Sequence, residues 1–468
     1  MFKKILQKFK NFKTDQRGSL LLFALVFGSI SFTVIIGGVA GYAMYENKAS
    51  KYKHNREMAF QIAEAGADYY RWHLAHDMTD YYDGNGPTST GPYVHEYKDK
   101  DGNLVGYFSL SIAPPPTGTT VVTVSSTGWV KNQTNSKRTV KVRLGFPALT
   151  DYAFLTNTDV WIGDDEVTHG KFHANGGVRY DGTGDAPITS AKLEYSCQSH
   201  HGCGGGQLKP GVWGTGGPTT YWKYPVPMQD FSKITASLAG IKTGAENGGI
   251  PISPSGYQGW RLEFTSDGLV KARKVRSTRC YRGVDVGDNK YRWYCIDIRT
   301  YSGNDIIYDL SNSNGYIYVE DNVWVEGVVN GRATIGTKAG KSIIINGDIT
   351  YLAKDGNHVL GLIAEQNILL PYNSPDTLEV NAAMLAQNGA AKRYYYPGNK
   401  KTSIYTYGTV ITNGTWTWSW VSGGGQVMSG YRNTNSTYDT NLLYAPPPGF
   451  PVGNEYNLIS WEEIEYDN

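Results

Sequence analysis

Four side chains between positions 197 and 203 are of the types that hold zinc. Cys197, His200, His201 and Cys203 are spaced C-x2-H-H-x-C, and thiolate and imidazole are the usual ligands of a tetrahedral site. The same cysteines can instead close a local disulfide, Cys197–Cys203, with Cys280–Cys295 as a second. Four cysteines permit three connectivities, and sequence does not choose among them. Disulfides are the favoured reading, because the chain places these cysteines in a loop-rich segment expected outside the cell.

A second cluster gathers Asp164, Asp165, Glu166, His169 and His173. Two carboxylates can hydrolyse a glycosidic bond when one donates a proton and the other stands at the right separation. Adjacent residues point apart in an extended strand, so Asp164 and Asp165 read better as a solvated turn. The run from Gly336 to Ser342 imitates a phosphate loop, but it is one residue short, and IIINGDITY follows it as a strand rather than a helix. It reads as a turn. Trp416, Trp418 and Trp420 recur at period two, which puts all three on one face of a strand. Exposed, they would be surface-binding aromatics, a platform for sugar rings or a protein partner. Buried, they would cap the end of a β structure. Net charge of +2 over 468 residues argues against a nucleic-acid partner. No catalytic residue, cofactor or resident metal is predicted, and the chain does not read as an enzyme.

The elements that would carry these residues begin with a membrane anchor. Lys3, Lys4, Lys8, Lys10, Lys13 and Arg17 precede SLLLFALVFGSISFTVIIGGVAGYAMY, a stretch without a charge from 19 to 45. At about 1.5 Å per residue it is roughly 40 Å long, more than the roughly 30 Å of a bilayer core. The basic leader, 1–18, should stay cytoplasmic, leaving the remainder outside as a single-pass membrane protein. A cleaved secretory signal has a shorter apolar region. Gly37, Gly38 and Gly41 would let neighbouring helices approach closely, or are ordinary membrane-helix composition. After the span, Met58, Phe60, Ile62, Ala63, Ala65, Ala67, Tyr70 and Leu74 recur at helical spacings. One long helix is therefore expected from about Leu20 to His76, within segments 19–45 and 46–80.

Beyond it the chain is rich in Gly, Tyr, Trp, Thr and Asn. YFSLSI, TVVTVSS and RTVKVRLG predict a small antiparallel sheet within a β domain at 81–150. Short strands with a turn residue after nearly every one, at 151–185 and again at 311–430, predict a parallel β-solenoid. An antiparallel sandwich is the alternative. Between them, 186–310 reads as a loop-rich insertion holding all four cysteines, with slight helix near Asp230–Ala239. Residues 431–468 read as an extended, proline-stiffened strap. The fold class is thus mainly β behind a long N-terminal helix.

QRGSLLLFALVFGSISF followed by REMAFQIAEAGADYY resembles the N-terminal region of PilX-type minor pilins and related pseudopilin-like proteins. The resemblance covers about 60 residues and rests on Arg17-Gly18, Ala59-Phe60-Gln61 and Ala63-Glu64-Ala65. It implies prepilin-type cleavage between Gly18 and Ser19, and other pilin-type subunits as partners alongside the bilayer. Counting from Ser19, the fifth residue is Phe23, where major pilins carry a glutamate. That departure implies a minor or accessory role. IYVEDNVWVEGVVNGRATI, LGLIAEQNILLPYNSPD, FHANGGVRYDG and YDTNLLYAPPPGFP resemble the exoprotein region of pilus-associated membrane proteins in small-genome bacterial lineages. Together these imply a structural or adhesive role in a type IV pilus or pseudopilus, with a surface glycan or protein as the outer partner. A membrane-anchored β-helix enzyme acting on carbohydrate and a pilus-independent surface adhesin are the alternatives.

Overall fold

The computed structural model describes residues 16–464, apart from 117, 149–150, 235–236, 289, 423–424 and 454. The basic leader up to position 15 and the side chains at the Gly18–Ser19 junction lie outside the described residues. The chain divides into two compact units, one formed by 1–113, 124–142 and 460–468, the other by 114–123 and 143–459.

The first unit is built on helix α1, Gln16–His76. Its first half exposes Leu20, Phe23, Phe27 and Ile35, and its hydropathy is that of a membrane span. In the second half Ala59, Ile62, Ala63, Ala67, Tyr70 and Leu74 are buried, at the three- and four-residue spacing that lines one helical face. That face meets a small antiparallel sheet containing β1 (Tyr93–Lys98), β2 (Leu104–Ala113), β3 (Val121–Val130) and β4 (Gln133–Gly145). Small residues set the packing distance: a Cβ on Gly66 would fall 2.3 Å from the Ser126 hydroxyl. The sheet's fifth strand is Asn457–Ile464. Residues 457–464 are therefore a sheet strand rather than part of a free strap, although Trp461 stays largely exposed beside Phe60.

The second unit is a set of parallel ladders. In the longest, Ile250–Ile252 pairs with Tyr316–Val319, and Arg332–Thr337, Val359–Ala364, Thr377–Ala386 and Lys400–Thr412 follow in turn. The ladder then jumps back in sequence. Phe154–Thr156 pairs with the end of Lys400–Thr412, and Phe172–Ala174, Ile188–Ser190 and Trp222–Lys223 continue from there. The early strands thus extend the stack beyond one of the latest, and residues 224–249 connect its two ends. At about 4.8 Å per strand, ten strands make a stack roughly 43 Å tall. A connection of this length reaches that far even with the Leu238–Glu246 helix inside it.

A second ladder joins Gly259–Phe264, Val323–Val329, Ile343–Tyr351, Ile368–Leu370 and Ala391–Arg393. A third runs through Lys400–Thr412, Val427–Tyr438, Glu166–His169 and Thr183–Gly184. The three ladders share one continuous core, where Phe154 and Phe172 stack at 4.9 Å on paired parallel strands. Trp324, Ile344 and Leu369 of the second ladder pack in a separate cluster with Val275, Tyr394 and Tyr396.

The 186–310 segment differs from the loop-rich expectation in its second half. Leu269–Gly283 and Arg292–Asp309 form a long antiparallel hairpin, which also pairs with Gly259–Phe264. Its frequent arginines dilute the apolar alternation, so the strands are weak in sequence. Val427–Tyr438 is likewise a ladder strand rather than part of a strap.

Candidate functional site

From Leu20 to Tyr45, α1 carries no acidic or basic side chain, and Phe23 is 76% exposed. The Ala59–Ala67 segment serves a different end. Ala59, Ile62 and Ala63 face the sheet, where a Cβ on Gly128 would meet the Ala63 backbone nitrogen at 2.5 Å. Phe60 lies beside Trp461 at 5.8 Å and under the Arg138 guanidinium, and Arg138 bonds Glu463. Past the helix end, Asp80 accepts hydrogen bonds from the Tyr82 and Gly84 amides and pairs with His73 at 2.9 Å. Those contacts hold its carboxyl below the usual range even though burial opposes them.

All four cysteines form disulfides, Cys197–Cys203 and Cys280–Cys295. Their sulfurs are therefore not thiolates, which removes the zinc reading of the 197–203 cluster. His201 is buried, and neither ring nitrogen has a hydrogen-bond partner. Burial, then the neighbouring His200 and Arg179, push it down to about 4. The loop it sits in covers a stack on neighbouring parallel strands: Arg179 lies 4.0 Å over Trp161 and 5.2 Å from Trp213. Asp181 fixes that stack by accepting from Arg179 and Trp161, at 2.7 and 2.8 Å. The first disulfide is a clamp over this stack.

The acid and histidine cluster does not converge. Asp164 and Asp165 are exposed. Glu166 shares a strand side with buried Thr168, and burial raises it to about 8. His169 pairs with Asp185 at 2.7 Å. His173 is buried between Thr189 and Asn175, at 2.9 and 3.0 Å. The Gly336–Ser342 run is a turn, with Lys338 paired to Glu320 and Lys341 to Asp321.

The three tryptophans are not an exposed platform. Trp416 and Trp418 are buried, with Trp416 edge-on to Phe154 at 4.8 Å. Only Trp420 is partly exposed, and its indole N–H donates to the Arg393 carbonyl at 2.8 Å. The chain bends between them, so period two does not become one strand face.

The exposed aromatics lie elsewhere, on the Leu269–Gly283/Arg292–Asp309 hairpin. Its inner side is held by tyrosine stacks, Tyr281 on Tyr372 at 3.8 Å and Tyr294 on Tyr394 at 3.6 Å. The buried Asp297 accepts from the Tyr372 and Asn373 amides. Trp293 is 69% exposed and stands directly opposite Arg282, which places both on the same side of the pair. Arg276, Arg279, Arg282 and Arg299 are exposed without an acid partner among the described residues.

No family model matches the chain, and no curated relative matches it. Among solved structures, the competence-associated pilin ComZ from Thermus thermophilus aligns with 88% of this chain and 97% of its own, at 13% identity and a TM-score of 0.28.

Of the residues singled out in the sequence, the structure brings together the two cysteine pairs and the Ala59–Ala67 face. It separates the acid cluster and buries two of the three tryptophans. The arginine-bearing hairpin was missed. Its only signal was the recurrence of arginine and lysine from Lys271 to Arg282 in a chain of near-zero net charge.

Proposed function

We propose that this chain is a membrane-anchored minor pilin or pilin-like surface protein, with a structural and adhesive role in a type IV pilus or pseudopilus. The observation that carries the proposal is α1 itself: one unbroken helix, apolar and exposed through its first half, packed by small residues on an antiparallel sheet through its second. The matched motifs at Arg17-Gly18 and Ala59–Ala65 support the same reading. The exposed half would cross the bilayer, N-terminus inside, and would then pack with other pilin-type helices. Phe23 cannot offer the carboxylate that pairs with a neighbour's amino terminus, which supports a minor or accessory position. The three ladders of the second unit are read as faces of a β-solenoid that displays the arginine and tryptophan hairpin as an adhesive surface for an acidic glycan or protein.

N-terminal sequencing of the protein extracted from membranes tests the assembly route. A mature chain beginning at Ser19 is expected; an intact Met1 in the membrane-resident protein would count against it.

A further inference from the structure

A cavity of 480 Å³ opens where the apolar run of α1 ends. It is lined by Met44, Asn47, Lys48, Lys51, Tyr52 and Asn55 from the helix, and by Gln133 at the start of β4. The six helical residues fall on one side of α1 at about 100° per residue. By the same count Glu46 and Glu57 lie about 200° and 220° round from Met44, on the opposite side. The cavity therefore holds two ammonium groups and no carboxylate.

Its polar groups are also unused. None of the lysines, amides or the Tyr52 hydroxyl lining it makes a side-chain hydrogen bond or ion pair among the described residues. Two cations, three amides and a phenol thus converge, unsatisfied within the protein, directly after Tyr45. That is the depth of lipid headgroups if α1 spans the bilayer, since charged and amphipathic side chains at a span's end sit in the interface.

We infer that this cavity binds the headgroup of an anionic phospholipid in the leaflet next to the folded units. Lys48 and Lys51 would take the phosphate. Asn47, Asn55 and Gln133 would donate to headgroup oxygens, and Met44 would contact the acyl chain. The inference rests on the membrane-spanning reading of α1. Its consequence is that a lipid would hold the helix in one rotation about its axis and so fix the direction in which the sheet faces along the membrane.

The test reconstitutes the full chain into phosphatidylcholine vesicles and measures binding of acyl-chain spin-labelled phosphatidylglycerol and phosphatidylcholine by electron paramagnetic resonance. Flotation of the protein with the vesicles reads the span separately. The expected result is co-flotation, with phosphatidylglycerol preferred about fivefold to tenfold, as one or two interfacial lysines would produce. Lys48→Gln with Lys51→Gln should abolish the preference. Lys53→Gln with Arg56→Gln removes the same charge from outside the cavity and should leave it.

Co-flotation with no preference in the unmodified protein would overturn the lipid site while leaving the span intact. Equal losses in both double variants would overturn the cavity in favour of diffuse charge. No preference together with Lys48 or Lys51 cross-linking between two chains would assign the face to a second copy. Failure to float would overturn the site and the span together.

Discussion

Gly128 on β3 and Ala59 on α1 approach so closely that a Cβ on the glycine would stand 2.3 Å from the Ala59 carbonyl oxygen. The obstruction is helix backbone, which cannot rotate aside as a side chain can. Gly128→Ala should therefore destabilise the first unit by about 1–3 kcal/mol through overpacking, and Gly128→Val by more. Thermal unfolding of the detergent-solubilised chain, followed by near-ultraviolet circular dichroism, would show it. An unchanged melting curve would mean that the helix does not sit on β3 as described.

Trp418 and Trp293 should behave oppositely. Trp418 is buried and its indole N–H has no partner among the described residues. Trp418→Ala should cost about 3–5 kcal/mol, while Trp418→Phe should be mild because no hydrogen bond is lost. Trp293→Ala should leave stability unchanged and weaken adhesion to an acidic glycan surface, read by binding of the full chain to immobilised polysaccharide. Normal adhesion in that variant would remove the hairpin from the proposed role.

Stability should depend on His201 in a defined pH window. Its folded-state pKa is depressed to about 4, first by burial, against about 6.5 when unfolded. Between those values the unfolded chain binds more protons, so stability rises with pH across the window and is lost as pH falls through it. The contribution is up to about 3 kcal/mol, since each pKa unit is worth about 1.4 kcal/mol. His201→Phe should flatten this part of the profile in urea titrations at pH 4 to 7. A profile as steep as that of the unmodified chain would show that another group is responsible.

The two disulfides should contribute unequally. Cys280–Cys295 closes a separation of 15 residues and Cys197–Cys203 one of 6. Loop entropy assigns about 3 kcal/mol to the first and about 2 to the second. Paired Cys→Ser variants, compared by urea unfolding, should preserve that order. Loss of the first should also loosen the hairpin that carries Trp293.

Much of this protein was legible as pattern. The uncharged run to Tyr45 and the spacing of Ala59, Ile62, Ala63 and Ala67 specify a helix that is apolar, then amphipathic, because helical periodicity is local. The cysteine pairing came out as favoured, and the Lys338–Lys341 turn followed from the strand behind it. The hairpin at 269–309 was less legible, since arginines occupy the positions that usually mark a strand's apolar face.

What only the tertiary structure decided is long-range order. Sequence shows strands at 154–190 and at 316–412, but not that the earlier ones stack beyond the later. The pairing of Phe154 with Val410 and of Glu166 with Thr434 joins residues more than 250 apart, and any strand with an apolar inner face could accept another. Burial is decided in the same way. Trp416, Trp418 and Trp293 are one residue type, and which of them meets solvent depends on what the rest of the chain lays over them. The sequence alone determined the long helix, apolar and then amphipathic, and the kinds of strand that follow it. The folded chain decided which side chains those strands leave exposed.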